Sequence, residues 1–286
     1  MELIKRYYYL TKPGIIYGNT ITAVAGFLLA AQGNIDIRLF GATIVGIGLV
    51  MASGCVFNNY IDRGIDKKMD RTKARSLVSG KISGRSALIY GSILGVLGVG
   101  LLALQTNFLA TAWAIAGFVF YVVLYGIAKR RSVHGTVVGS ISGAVPPVVG
   151  YVAVAGHFDL GALLLFFILV CWQMPHFYSI AVFRLKDYKA AGIPVLPLIG
   201  GMHLTKVAIL MYIFAFAVLV QQLYSAGYTG VIYLVVMLAL CGYWFVIGLK
   251  GFRALNNNLW ARQMFKFSLI VLLAFSILIS VEVVLP

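Results

Sequence analysis

SALIYGSILGVLGVGLLALQTNFLATAWAIAGFVFYVVLYGIA, residues 86–128, runs for 43 residues without an Asp, Glu, Lys or Arg. A helix of that length would extend about 64 Å, roughly twice the ~30 Å hydrocarbon core of a bilayer. The stretch must therefore fold back on itself, and Gln105-Thr106-Asn107 is the polar turn near its middle. The same reading applies to residues 207–249, with a turn at Ser225-Ala226-Gly227-Tyr228. Single-span intervals lie at 13–35, 39–61, 132–158, 160–183 and 267–281, which brings the number of crossings to nine. The predicted fold class is an all-α polytopic membrane protein with nine transmembrane helices.

Composition agrees, because 61% hydrophobic residues, 11% charged residues and a mean hydropathy of +0.96 exclude a water-soluble globule. The net charge of +15 is no nucleic-acid footprint, since the charges are confined to the gaps between apolar runs. Cys55, Cys171 and Cys241 all sit inside those runs without metal-type spacing and read as small core residues. The first apolar run is too long for a signal-peptide core, so it is read as a retained span. Placing the N-terminus in the cytoplasm puts 22 of the 23 Lys and Arg residues inside and only Arg38 outside. The C-terminus then lies on the outer face. A weak internal repeat, 15–128 and 137–249, runs through what is read as a single domain over residues 1–286.

The first long inner loop concentrates the acid. Asn58, Asp62, Asp66 and Asp70 recur at four-residue spacing, and on a helix leaving the membrane that spacing points Asn58, Asp62 and Asp66 the same way. Like charges at i,i+4 repel, so a cation bridging the row is expected, and oxygen ligands without His or Cys favour Mg2+. A basic row one residue later, Arg63, Lys67, Arg71 and Arg75, supplies what a diphosphate needs from its other side. A helix extension laced with salt bridges is the plainer alternative; it accounts for the bases but not for an unbroken acid face.

The corresponding loop of the second half, FRLKDYKAAGIPVLP over 183–197, holds Arg184, Lys186, Asp187 and Tyr188 on the same side of the membrane. Tyr125 and Lys129 end the fourth span there too, although Lys129-Arg130-Arg131 taken alone is an ordinary topology signal. Within the sixth run lies His176, where an ionisable residue usually faces an interior cavity, and Pro175 before it is expected to break the helix ladder locally. A neutral histidine satisfied by a neighbouring helix is one reading, and an imidazole contact for a large apolar substrate is the other. Pro146-Pro147 predicts a break in the fifth span.

Asn58-Asn59-Tyr60-Ile61-Asp62-Arg63-Gly64-Ile65-Asp66 resembles the first aspartate motif of the UbiA-type intramembrane prenyltransferases. Lys12-Pro13, the Tyr125 and Lys129 pair, and the GIPVLP run over 192–197 are similar to that superfamily too. TKPGIIYGN (11–19), SGCVFNNYIDRGIDKKMDRT (53–72), WQMPHF (172–177) and FRLKDYKAAGIPVLP closely resemble its bacterial, haem-farnesylating members. The resemblance covers essentially the whole chain and implies the nine-helix UbiA-type fold in the bacterial inner membrane, with the site facing the cytoplasm. It implies transfer of farnesyl from farnesyl diphosphate to a vinyl group of haem b, with addition of water, for the haem of terminal oxidases. Asn58, Asp62 and Asp66 would hold Mg2+; Arg71, Arg75, Tyr125, Lys129, Arg184 and Lys186 would bind the diphosphate; His176 would contact haem. Association with a haem A synthase or an oxidase is left open.

One departure stands out. The superfamily's second motif usually places two aspartates four residues apart, and here those positions hold Arg184 and Tyr188, with Asp187 between them. Fixed positive charge in place of a second metal is the consequence expected. A prenyltransferase acting on an aromatic acid or quinone precursor is the nearest rival, and the WQMPHF setting of His176 argues against it. A transporter would place its polar site near the bilayer midplane, whereas this cluster lies at one face.

Overall fold

Each long uncharged interval becomes one or two helices in a computed structural model of the chain, which describes residues 2–281. In chain order the helices are α1 (Glu2–Leu10), α2 (Pro13–Ala31), α3 (Ile37–Asp66), α4 (Gly84–Gln105), α5 (Phe108–Val119) and α6 (Tyr125–Arg131). There follow α7 (Gly135–Gly143), α8 (Val145–Ala155), α9 (Leu160–Phe183), α10 (Leu185–Ala191), α11 (Leu196–Ile199), α12 (Gly201–Ser225), α13 (Val231–Lys250) and α14 (Asn257–Val281). Among the described residues nine helices are long and apolar enough to cross a membrane. Three of them are composite: Phe108–Arg131 joins α5 and α6, Gly135–Ala155 joins α7 and α8, and Val231–Arg253 extends α13. The expected outer position of the C-terminus can be followed only to Val281, since residues 282–286 lie outside the described residues.

Both anticipated hairpins form, with turns between Gln105 and Phe108 and between Ser225 and Val231. Polar residues stand where the helices need caps. Asp36 accepts from the backbone N–H groups of Arg38 and Leu39, Asn107 from Ala110 and Asp159 from Ala162. Each satisfies donors that a helix N-terminus leaves open. This explains two of the few acids outside the inner loops. The fifth span breaks at Ala144, before Pro146-Pro147, as expected. At Pro175 the hydrogen-bond ladder lacks one N–H donor, while α9 keeps its course from Leu160 to Phe183.

The tightest packing is the crossing of α2 on α8, where glycine on both helices allows backbone contact. A Cβ added to Gly26 would stand 2.0 Å from the Pro147 carbonyl oxygen, and one added to Gly150 2.1 Å from that of Ala23. Small residues are how helices approach in a solvent that offers no hydrophobic drive. The helix α9, with α7, α8, α12 and α14 around it, forms the core, whereas Val96, Leu97, Phe108 and Phe214 expose apolar surface outward. At the charged end the loop after α3 folds back, burying Leu77 and Ile82 against Leu10 and Val56. Asn59 Nδ2 donates to the Leu10 carbonyl at 2.8 Å and Arg130 to that of Ile61 at 2.8 Å, gathering the C-terminal ends of α1, α3 and α6.

Candidate active site

Three polar side chains on one face of α3 are buried: Asn58, Asp62 and Asp66. Their helix ends at Asp66, because the chain turns there and the Thr72 hydroxyl donates to the Asp66 carbonyl at 2.9 Å. Asp70 accordingly lies off the acid face; it sits exposed in the turn, paired with Lys73 at 2.6 Å, which holds its carboxyl below the usual carboxylate range. The expected basic row is corrected: Arg63, Lys67, Arg71 and Arg75 do not form a helical row. Arg63 lies over the Tyr60 ring, while Arg75 returns to donate to Asp66 Oδ2 at 2.6 Å and Asn59 Oδ1 at 3.1 Å.

The repulsion between Asp62 and Asp66 is resolved by the protein itself. Asp62 is paired with Lys129 and, at 3.2 Å, with Arg130. Lys12 Nζ donates to Asn58 Oδ1 at 2.6 Å, and burial, the largest influence, pulls its ammonium down to about 8. A bridging metal is thus not needed to keep the acid row together, contrary to the argument from repulsion alone. The partners come from 46 to 68 residues away in sequence. Sequence reasoning singles out Lys12-Pro13 and Lys129-Arg130-Arg131 without assigning either an acid or amide partner.

These groups open on one cavity of about 960 Å³. It is lined by Asn58, Asp62 and Asp66 from α3, Arg71 and Arg75 from the following loop, Tyr125 and Lys129 from α6, Arg184 at the end of α9 and Tyr188 from α10. Lys186 and Asp187 are not brought into it; Lys186 points to the outside of α10 and is exposed. Burial pushes the Tyr188 phenol up against the opposing pull of Arg71 and Arg184, so it stays a hydrogen-bond donor at neutral pH. A π-helical turn at Phe120–Leu124 interrupts the fourth span beside the site. Such turns re-aim side chains: Tyr121 and Tyr125 stack with centroids 5.8 Å apart, and Lys129 Nζ lies 4.9 Å from the Tyr125 centroid.

Away from the acids the cavity becomes apolar and aromatic. His176 lines it, stacked on Trp172 at 4.9 Å and near Phe265 at 4.8 Å. Its Nδ1 lies 2.8 Å from Ser268 Oγ, whose own hydroxyl donates to the Phe265 carbonyl at 2.6 Å. One hydroxyl has one proton, so Ser268 must accept from His176, and the imidazole carries its proton on Nδ1. The lone pair of Nε2 is then free for a ligand. Ser268 has no signal in the sequence, because its role arises only where α14 meets α9.

The donor set suits Mg2+. Two carboxylates and an amide oxygen on one helix face supply hard ligands, and among the described residues no group of three His, Cys, Asp or Glu side chains forms an all-protein cage. Mg2+ commonly binds through one or two carboxylates together with substrate phosphates. Asn58 Nδ2 is buried without a hydrogen-bond partner, an unmet donor that an anionic ligand could complete.

The sequence profile of the UbiA prenyltransferase family matches residues 19–270. The chain is 53% identical over 281 residues to the protoheme IX farnesyltransferase of Yersinia pseudotuberculosis serotype O:1b, covering 98% of this chain and 95% of that protein. It is 52% identical over 285 residues to the protein of the same name from Cronobacter sakazakii, covering 99% and 97%. Among solved structures, a digeranylgeranylglyceryl phosphate synthase superposes with a TM-score of 0.81 at 21% identity, covering 99% of each chain. A UbiA homolog from Archaeoglobus fulgidus bound to GPP and Mg2+ gives 0.71 at 16% identity, covering 96% of this chain and 99% of that one. These two likenesses establish the nine-helix fold as that of the family.

Proposed function

This chain belongs to the UbiA prenyltransferase family, and from that premise we propose that it transfers the farnesyl group of farnesyl diphosphate to a vinyl group of haem b. Water is added to the same vinyl group, and haem O and diphosphate are the products. The observation that carries this reading is the 53% identity, along almost the full length of both chains, to a protoheme IX farnesyltransferase. The cavity supports it, with a charged end for a diphosphate and an aromatic wall for a porphyrin.

Asn58, Asp62 and Asp66 are the residues that would hold Mg2+. When bound, the ion would neutralise charge on the departing diphosphate. Arg71, Arg75 and Arg184 supply fixed cationic donors around the same oxygens, and the phenols of Tyr125 and Tyr188 add neutral ones. Lys129 and Arg130 now neutralise Asp62, so substrate binding redistributes their bonds from carboxylate to phosphate. Arg184 stands where relatives of the broader superfamily place a carboxylate, which suits a site with one metal. As the allylic C–O bond breaks, the apolar walls keep water from the farnesyl cation. Attack by the vinyl group joins carbon to carbon and moves the positive charge to the carbon next to the macrocycle. Water adds there and loses a proton to solvent or diphosphate, which balances the reaction. His176 contacts the haem through its free Nε2.

The enzyme would act in the bacterial inner membrane, with its N-terminus and active site in the cytoplasm, as the placement of basic residues supports. The weak repeat would lie within a single domain. Incubating the purified protein with haem b, farnesyl diphosphate and Mg2+ should yield a porphyrin heavier by one farnesyl group and one hydroxyl group in mass spectrometry. Transfer to an aromatic acid or quinone precursor instead, with haem untouched, would move the assignment elsewhere in the family.

Ser268→Ala should weaken haem binding about tenfold, because an orienting partner of this kind is typically worth ten- to a hundredfold at a metal-facing histidine. Farnesyl diphosphate binding should be unchanged. Titrating haem by its Soret band, with diphosphate inhibition measured in parallel, checks both; an equal loss for the two substrates would make the contact one of packing.

A further inference from the structure

The charged end of the cavity has a second basic element that the chemistry above does not use. Arg262 and Lys266 lie one turn apart on α14 and line the same cavity. With Phe265 and Leu269 they make one face of that helix, at i, i+3, i+4 and i+7. Unlike Arg75, Lys129 and Arg130, which already hold carboxylates, neither forms an ion pair among the described residues. The Phe183 ring lies 5.6 Å from the Arg262 guanidinium. Arg184 lies at the same distance from the same ring, so the Phe183 ring is shared by one of the diphosphate cations and one of the α14 pair. Phe265, between Arg262 and Lys266 in sequence, packs on His176, and Ser268, two residues beyond Lys266, fixes the imidazole.

We infer that Arg262 and Lys266 bind the two propionate carboxylates of the haem acceptor, an assignment that rests on the haem reading above. The chemistry is complementary: two cations without acid partners stand at the water-facing rim of an aromatic wall, and a porphyrin is an aromatic plate with two carboxylates on one edge. Its vinyl groups lie on the side of the ring away from those carboxylates. Anchoring the carboxylates on α14 therefore turns a vinyl edge away from α14 and into the cavity, towards the acids and cations carried by α3 and its loop. Arg262 can meet a carboxylate with two parallel N–H bonds, and Lys266 adds a point charge. The pair would thus set which edge of the haem reacts.

The test is to titrate wild type and Arg262→Gln/Lys266→Gln in neutral detergent, free of anionic lipid, with haem b and with its propionate dimethyl ester. The expected result is a rise of tenfold or more in the haem b Kd of the variant. The ester should bind both proteins alike and more weakly than haem b binds wild type, and the KM for farnesyl diphosphate should stay within twofold. Arg262→Lys, which keeps the charge but loses the fork, should fall between wild type and the double variant. A variant that binds haem b normally, or an ester that binds wild type as tightly as haem b, would overturn the inference. So would an equal loss for farnesyl diphosphate, which would place the pair at the diphosphate, or a haem b defect confined to membranes with anionic lipid, which would make it a headgroup contact. If wild type forms haem O and the variant's haem affinity is unchanged, only this assignment falls. If wild type neither binds nor converts haem b, the haem reading falls with it.

Discussion

Asp62→Asn and Asp66→Asn should each lower turnover by about a thousandfold, the scale on which a group that stabilises developing charge affects a rate. The two substitutions differ in what else they disturb. Asp62 holds the buried Lys129, and removing one partner of a buried pair commonly costs about 3–5 kcal/mol. Asp62→Asn is therefore expected to melt earlier in detergent as well as to lose activity. Asp66 is paired with the partly exposed Arg75, so Asp66→Asn should lose activity with a smaller change in stability. The double variant Asp62→Asn/Lys129→Met removes both buried charges and should recover much of the thermal stability without recovering turnover. Product formation measured across a range of Mg2+ decides the matter. Turnover within tenfold of wild type for both single variants at limiting Mg2+ would remove the α3 acids from the chemistry.

Gly150→Val should have the largest effect on the fold. The added Cβ would meet the Ala23 carbonyl oxygen at 2.1 Å and the Phe27 nitrogen at 2.9 Å. Both are backbone atoms, so no rotamer change relieves the clash and α2 must move off α8. Overpacking usually costs about 1–3 kcal/mol, and an obstructed backbone crossing belongs at or beyond the upper end. The damage should reach the site, because α2 carries Asn19 and Thr22 on the cavity wall. Gly242→Ala is the control, since a Cβ there meets nothing within 4 Å and alanine is the better helix former. Thermal melts in one detergent should show Gly150→Val well below wild type and Gly242→Ala at or slightly above it. A Gly150→Val protein as stable as wild type would mean that α2 and α8 do not cross this closely.

What could be read along the chain follows from the bilayer as a solvent. A membrane demands apolar runs of fixed length with their backbone bonded internally, so the nine crossings, both hairpins and the break at Pro146-Pro147 were legible in order and spacing. The acids Asp62 and Asp66 could be singled out because charge is scarce in such a chain, and four-residue spacing correctly put them with Asn58 on one face of a helix. Helical periodicity also overreached, turning Arg71 and Arg75 into a ladder. It has no term for the turn after Asp66, where burial of Leu77 and Ile82 and the bond from Thr72 bring Arg75 back to its acid.

The partners of the site were decided by the tertiary structure alone. Nothing local tells Lys129 that it meets Asp62, Lys12 that it meets Asn58, or His176 that Ser268 fixes its tautomer. Those contacts depend on how far each helix is rotated and shifted against its neighbours, and the π turn at Phe120–Leu124 alters that rotation within a single span. Hydropathy determined which segments enter the bilayer, because that choice depends on each segment's own transfer from water. Which cation answers which anion depends on close packing between segments distant in sequence, and only the assembled bundle sets that distance.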